Sequence, residues 1–134
     1  MKLNYQTKAL LTAASLILAI IGFLIKLPSI FRHHDKEMHF LFYFLAAAFL
    51  NIFFAKRIIF RHVVILIFLI LFGIAIEFAQ EYSNKFLHKR IHGRFDIEDI
   101  QSNFKGLIVF SILWITYNII VFVYKRRNTN SSRC

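Results

Sequence analysis

The chain has 134 residues, 58% of them hydrophobic and 17 of them Phe, and a formal net charge of +10. Such a composition is too apolar for a water-soluble domain of ordinary size and points to a small polytopic membrane protein. The charge does not indicate nucleic acid: Lys and Arg lie between and beside apolar segments, as in proteins oriented in a bilayer by cytoplasmic basic residues, and no nucleic-acid module is visible.

Four apolar runs predict an all-α fold, a four-transmembrane-helix antiparallel bundle forming one domain over residues 1–134. The first helix is expected over about 9–27, preceded by Lys2 and Lys8 and closed by Lys26 and Pro28. No small-residue cleavage site or lipobox cysteine follows it, so it reads as a retained span rather than a signal peptide. The second covers about 38–55, interrupted only by Asn51, and a tight cytoplasmic turn at Lys56 and Arg57 ends it. The third, about 58–80, reaches spanning length only if Ile58 to Phe60 belong to it, which puts Arg61 and His62 near an interface. The fourth, about 104–124, contains Trp114 and Tyr117 and stops at Lys125, Arg126 and Arg127; residues 125–134 form a polar cytoplasmic tail. The one cysteine, Cys134, ends that tail, so no intramolecular disulfide is possible.

With four spans, the two termini and the second loop share a side. That side carries Lys2, Lys8, Lys56, Arg57, Arg61, Lys125, Arg126, Arg127 and Arg133, which nearly balances the Lys and Arg of the other side. The acids are not balanced. Asp35, Glu37, Glu77, Glu81, Asp96, Glu98 and Asp99 all fall on the second side. We expect both termini in the cytoplasm and the acidic side outside.

The acids fall in three polar clusters. In HHDKEMH, Asp35 and His39 are four apart and share a helical face with Tyr43, whereas Lys36 points about 100° away. In GIAIEFAQEY, Glu77, Gln80 and Glu81 lie within about 100° of arc and turn one face of an otherwise apolar helix polar. In GRFDIEDIQSNFKG, Asp96, Asp99, Asn103 and Gly106 cover roughly 80°, with Arg94 just before them. Carboxylates are rare inside membrane segments, where they cost roughly 2.5–3.5 kcal/mol on insertion scales, so Glu77 is a site candidate on energetic grounds alone.

Taken in order, DKxxH at Asp35, Lys36 and His39, ExxQ at Glu77 and Gln80, and RxFDxxDxxxN at Arg94, Asp96, Asp99 and Asn103, with Gly106 beyond, resemble the VanZ-like family over about residues 9–124. The resemblance implies a bacterial four-helix membrane protein of the cell envelope, in a family named for a protein that lowers susceptibility to the glycopeptide teicoplanin. Family members often carry Pro before the Arg of the third motif, whereas this chain reads His92, Gly93, Arg94, so its turn is expected to differ.

Each cluster also has a structural role available. Glu77 and Gln80 can join helices by hydrogen bonds, Asp96 and Asp99 can cap a helix start and pair with Arg94, and Asp35 with His39 can be an interfacial pair. The functional expectation is a site at the outer membrane–water interface that meets a lipid or cell-wall precursor headgroup. One alternative is a membrane enzyme or small carrier for phosphorylated or lipid-linked substrates, with His39 or Glu77 as general base and Lys36 with Arg94 holding phosphate. Another is a scaffold subunit of a membrane complex, using the aromatic residues and Asn51. No cofactor is implied, because the spacing is not that of a dedicated zinc site; were an ion held, His39, Glu77 and Asp99 are the donors expected.

Overall fold

The computed structural model describes residues 4–24, 34–88 and 95–131. They form helices α1 (Tyr5–Leu24), α2 (Asp35–Leu50), α3 (Ile59–Phe86) and α4 (Ile97–Ser131), and a π-helical turn over Asn51–Ala55 continues α2. The fold is all-α, as expected, and all four helices are long and apolar enough to cross a membrane. The spans differ at their ends. Helix α3 runs to Phe86 rather than stopping near Gln80, and α4 starts at Ile97 rather than near residue 104. It also continues through Lys125–Arg127 to Ser131, where a polar tail was expected. Apolarity marks only the part of a helix that lies in lipid, and these extensions are polar turns standing beyond it.

Helices α2, α3 and α4 pack together, each through one stripe. The buried residues of α2 are His39, Tyr43, Ala47 and Leu50, and those of α3 are His62, Ile65, Leu69, Gly73, Ile76, Glu77 and Gln80. Helix α4 buries Asp99, Ser102, Asn103, Gly106, Leu107 and Phe110. Steps of three and four place each set on one helical face. Every stripe is apolar in its middle, where Tyr43, Ala47, Leu50, Ala55, Ile65, Leu69, Leu107 and Phe110 form the core.

Small residues set how closely the helices approach. At Gly106 an added Cβ would stand 2.4 Å from the carbonyl oxygen of Phe40 and 3.1 Å from the nitrogen of Phe44, so α4 lies directly on the backbone of α2. This is the close approach that small residues permit between membrane helices. Beside it, the Phe44 and Phe110 rings meet edge to face with centroids 5.8 Å apart. Helix α1 is peripheral: of its described side chains only Ala19 is buried. Its start is tied to the end of α2 by an edge-on contact of Tyr5 with Phe54 and by Lys8 over the Phe53 ring.

The outward faces carry Leu41, Leu45, Ile67, Leu71, Ile108, Ile112 and many other exposed large apolar residues. Lipid contact accounts for such a surface, which water would not tolerate.

Candidate functional site

The three polar clusters lie on three different helices, and the bundle brings them to the same end: the start of α2, the last turns of α3 and the start of α4. The α3–α4 junction is built first. Asp96 stands at the N-cap of α4, where its Oδ1 accepts the backbone N–H of Glu98 at 2.8 Å. This is the capping role available to an aspartate before a helix. The N–H of Asp96 itself donates to Glu77 Oε2 at 3.2 Å, and the N–H of Phe95 donates to Glu81 Oε2 at 3.5 Å. Two glutamates one turn apart on α3 therefore receive successive N–H groups at the positive end of α4, which is favourable both as hydrogen bonding and for the helix dipole. Glu77 is 0% exposed, and its second oxygen, Oε1, has no hydrogen-bond partner among the described residues. Gln80, one turn on, is also buried.

The α2–α4 junction centres on His39, only 3% exposed. Its Nδ1 lies 3.0 Å from Asn103 Oδ1, which orients the ring, and its Nε2 lies 3.9 Å from Asp35 Oδ1 and 4.0 Å from Asp99 Oδ2. Since an amide oxygen only accepts, the first contact places a proton on Nδ1 and leaves Nε2 turned to the carboxylates. Asn103 fits because Gly73 of α3 gives it room: a Cβ at Gly73 would stand 2.9 Å from Asn103 Nδ2 and 2.9 Å from the Tyr43 hydroxyl. Glu77 stands within electrostatic range of Asp99, Asp96 and Asp35, so the two junctions form one polar site.

Most residues expected from the sequence meet here: Asp35, His39, Glu77, Gln80, Asp96, Asp99 and Asn103. Lys36 does not point inward. It forms an ion pair with Glu98 on the exposed surface, joining α2 to α4 from outside. Arg94 and the turn at His92 and Gly93 lie outside the described residues. The expected metal donors also regroup: ligand atoms of Asp35, His39 and Asp99 lie within 4.8 Å of one another, with Asp35 in place of Glu77. Of the two aspartates at the start of α4, Asp96 is the cap, whereas Asp99 is 7% exposed and turned towards His39.

No family model matches the chain, and neither a curated protein nor a solved structure does. The site is therefore read from its own chemistry. Four carboxylates, an imidazole and two amides gather at the edge of an apolar bundle. Glu77 lies about 27 Å along α3 from its start at Ile59, close to the full thickness of a hydrocarbon core of about 30 Å. Such a set can bind a cation, exchange protons through His39, or hold a polar group that approaches from the membrane surface.

Sequence reasoning missed Gly73 and Glu98 in this site. It also placed His62 at an interface with Arg61, whereas His62 is 2% exposed and forms a second polar contact at the other end of the core. Its Nδ1 lies 2.7 Å from Asn51 Oδ1, and its ring stacks on Trp114 at 4.2 Å with an interplanar angle of 5°. Asn51 Nδ2 in turn donates to the Ala47 carbonyl at 2.7 Å. The signal was present as Asn51, a polar residue deep in the second apolar run, which needs a partner in that setting.

Proposed function

We propose that the chain is a multi-pass protein of a bacterial cytoplasmic membrane, with both termini in the cytoplasm, and that its acidic end engages a lipid or cell-wall precursor headgroup at the outer surface. By altering the envelope there it lowers glycopeptide susceptibility, the property that the VanZ-like resemblance implies. The observation that carries this reading is the meeting of three sequence-distant motifs: His39 contacts Asn103 at 3.0 Å, and Glu77 accepts the N–H of Asp96 at 3.2 Å. A bundle that needed polar contacts only for register would not require Asp35, His39, Glu77 and Asp99 to gather around one point. The distribution of charge supports the orientation: Lys8, Lys56, Arg57 and Arg61 stand at the end opposite the acids.

The test is the teicoplanin susceptibility of a sensitive bacterium expressing the chain, beside Glu77→Gln and Asp99→Asn variants inserted at equal level. We expect reduced susceptibility with the unaltered chain and loss of that effect in both variants. Unchanged susceptibility with the unaltered chain overturns the reading.

A second reading, a membrane enzyme for phosphorylated or lipid-linked substrates, is favoured by His39 standing between Asp35 and Asp99. That is the environment of a general base. It predicts release of phosphate from a phosphomonoester lipid that stops with His39→Gln.

A further inference from the structure

The site is crowded with like charge. Glu77 lies within electrostatic range of Asp35, Asp96 and Asp99, Asp99 within range of Asp35 and Asp96, and Lys36 is held at the surface by Glu98. A phosphorylated headgroup would be repelled by such a set unless a cation stood among the carboxylates. The geometry around His39 has the form of a site for one. Its Nδ1–H is donated to Asn103 Oδ1 at 3.0 Å, and Nε2 faces Asp35 and Asp99 at 3.9 and 4.0 Å. Metal-bound histidines have this arrangement, one ring nitrogen anchored by a hydrogen bond and the other directed to the ion.

The two separations from Nε2 exceed the 2.7–3.2 Å of hydrogen bonds. Ligand atoms of the three residues lie within 4.8 Å of one another, somewhat wider than first-row metal bonds of about 2.0–2.2 Å to nitrogen and oxygen would hold them. Small rotamer shifts close that gap, and Asp35, half-exposed at the start of α2, is placed to make them. A second, independent observation comes from α3: Glu77 is fully buried within electrostatic range of Asp35 and Asp99, and its Oε1 lacks any hydrogen-bond partner among the described residues. A buried carboxyl oxygen left unpaired is costly, and a cation among these groups would satisfy it.

We propose that Asp35, His39 and Asp99 hold a divalent first-row metal ion, Mn2+ or Zn2+, with Glu77 as the further protein group facing it. One nitrogen and several carboxylate oxygens suit those ions better than Ca2+, which takes six to eight oxygens. The proposal deepens the headgroup reading and rests on it for the ligand's identity: a metal at this position converts an acidic site into one that accepts a phosphate oxygen. Asp35, His39 and Asp99 would hold the ion, and Asp35 is accessible at the start of α2.

The experiment uses the full chain, purified in detergent, stripped with EDTA and titrated with Mn2+ followed by electron paramagnetic resonance, with Zn2+ as competitor. We expect one ion per chain and at least a tenfold loss of affinity in Asp99→Asn and in Asp35→Asn. The second substitution is half-exposed and leaves the fold intact, as circular dichroism will verify. Asn103→Ala, which removes only the anchor of His39, is expected to weaken binding 10–100-fold. Failure of the unaltered chain to bind Mn2+ or Zn2+, or equal binding by Asp35→Asn and Asp99→Asn, overturns the proposal. Association with phosphatidylcholine vesicles with and without phosphatidic acid separates the two readings. Phosphatidic-acid binding that survives EDTA removes the metal and leaves the headgroup reading. One bound ion without phosphatidic-acid binding leaves the metal and removes that reading.

Discussion

At the scale of the residue, the polar side chains of this bundle divide by what they touch. Asn51 and His62 hydrogen-bond to one another inside the core through His62 Nδ1, the His62 ring is covered by Trp114, and its buried Nε2 has no hydrogen-bond partner among the described residues. Nothing charged approaches them in the described contacts, so we assign them to packing and register. A double-mutant cycle of Asn51→Leu and His62→Phe, read by thermal unfolding in detergent, is expected to give a coupling of about 0.6–1.7 kcal/mol, the range measured for hydrogen bonds between membrane helices. Additive losses would show that the contact contributes nothing specific. The identity of the site residues was legible in the sequence because carboxylates, His and Asn are conspicuous in apolar segments, and a spacing of three or four assigns each to a face. Their partners were not legible. That Asn103 would meet His39 rather than a neighbour on α4, or that Lys36 would be taken by Glu98, depends on how α2 and α4 are rotated about their axes. Local spacing carries no record of that rotation.

At the scale of the element, the contact of α4 with α2 fixes the rotation, and one glycine permits it. An added Cβ at Gly106 would lie 2.4 Å from the Phe40 carbonyl oxygen, which is backbone and cannot swing aside. Gly106→Ala must therefore separate the two helices and loosen the His39–Asn103 contact one turn away. We expect a loss of about 3 kcal/mol, at the upper end of overpacking costs. Gly22→Ala on α1, where nothing lies within 4 Å, is the matched comparison. It is expected to be neutral or stabilising by up to about 1 kcal/mol, since alanine favours helix. Comparable losses in the two variants, measured as unfolding midpoints, would contradict the packing described. The existence and order of the helices followed from runs of apolar residues near 20 in length. Their ends did not. Helix α4 begins seven residues before its apolar run because Asp96 caps it and because Glu77 and Glu81 of α3 receive the N–H groups of Asp96 and Phe95 just ahead of it, contacts that come from another helix.

At the scale of the whole molecule, the bundle has two unlike ends. One presents Lys56 and Arg57 in a turn with positive φ at both residues, with Arg57 donating to the Tyr117 hydroxyl at 3.2 Å. On the same side a groove lined by Arg57, Trp114, Asn118, Phe122 and Lys125 offers apolar walls and two cations, as an anionic lipid would meet them. The opposite end gathers the acids of α2, α3 and α4 around His39. The tendency of basic segments to stay in the cytoplasm would turn the carboxylate site outward, the orientation proposed above. That outward-facing site, assembled from three helices, is the central claim, and labelling in intact cells tests it most directly. Single cysteines are introduced by Asp35→Cys, Glu98→Cys and Lys56→Cys in a chain carrying Cys134→Ser, and each is exposed to a membrane-impermeant maleimide. We predict labelling of positions 35 and 98 from outside and labelling of position 56 only after the cells are opened. Reaction at position 56 in intact cells, with 35 and 98 silent, would contradict the account.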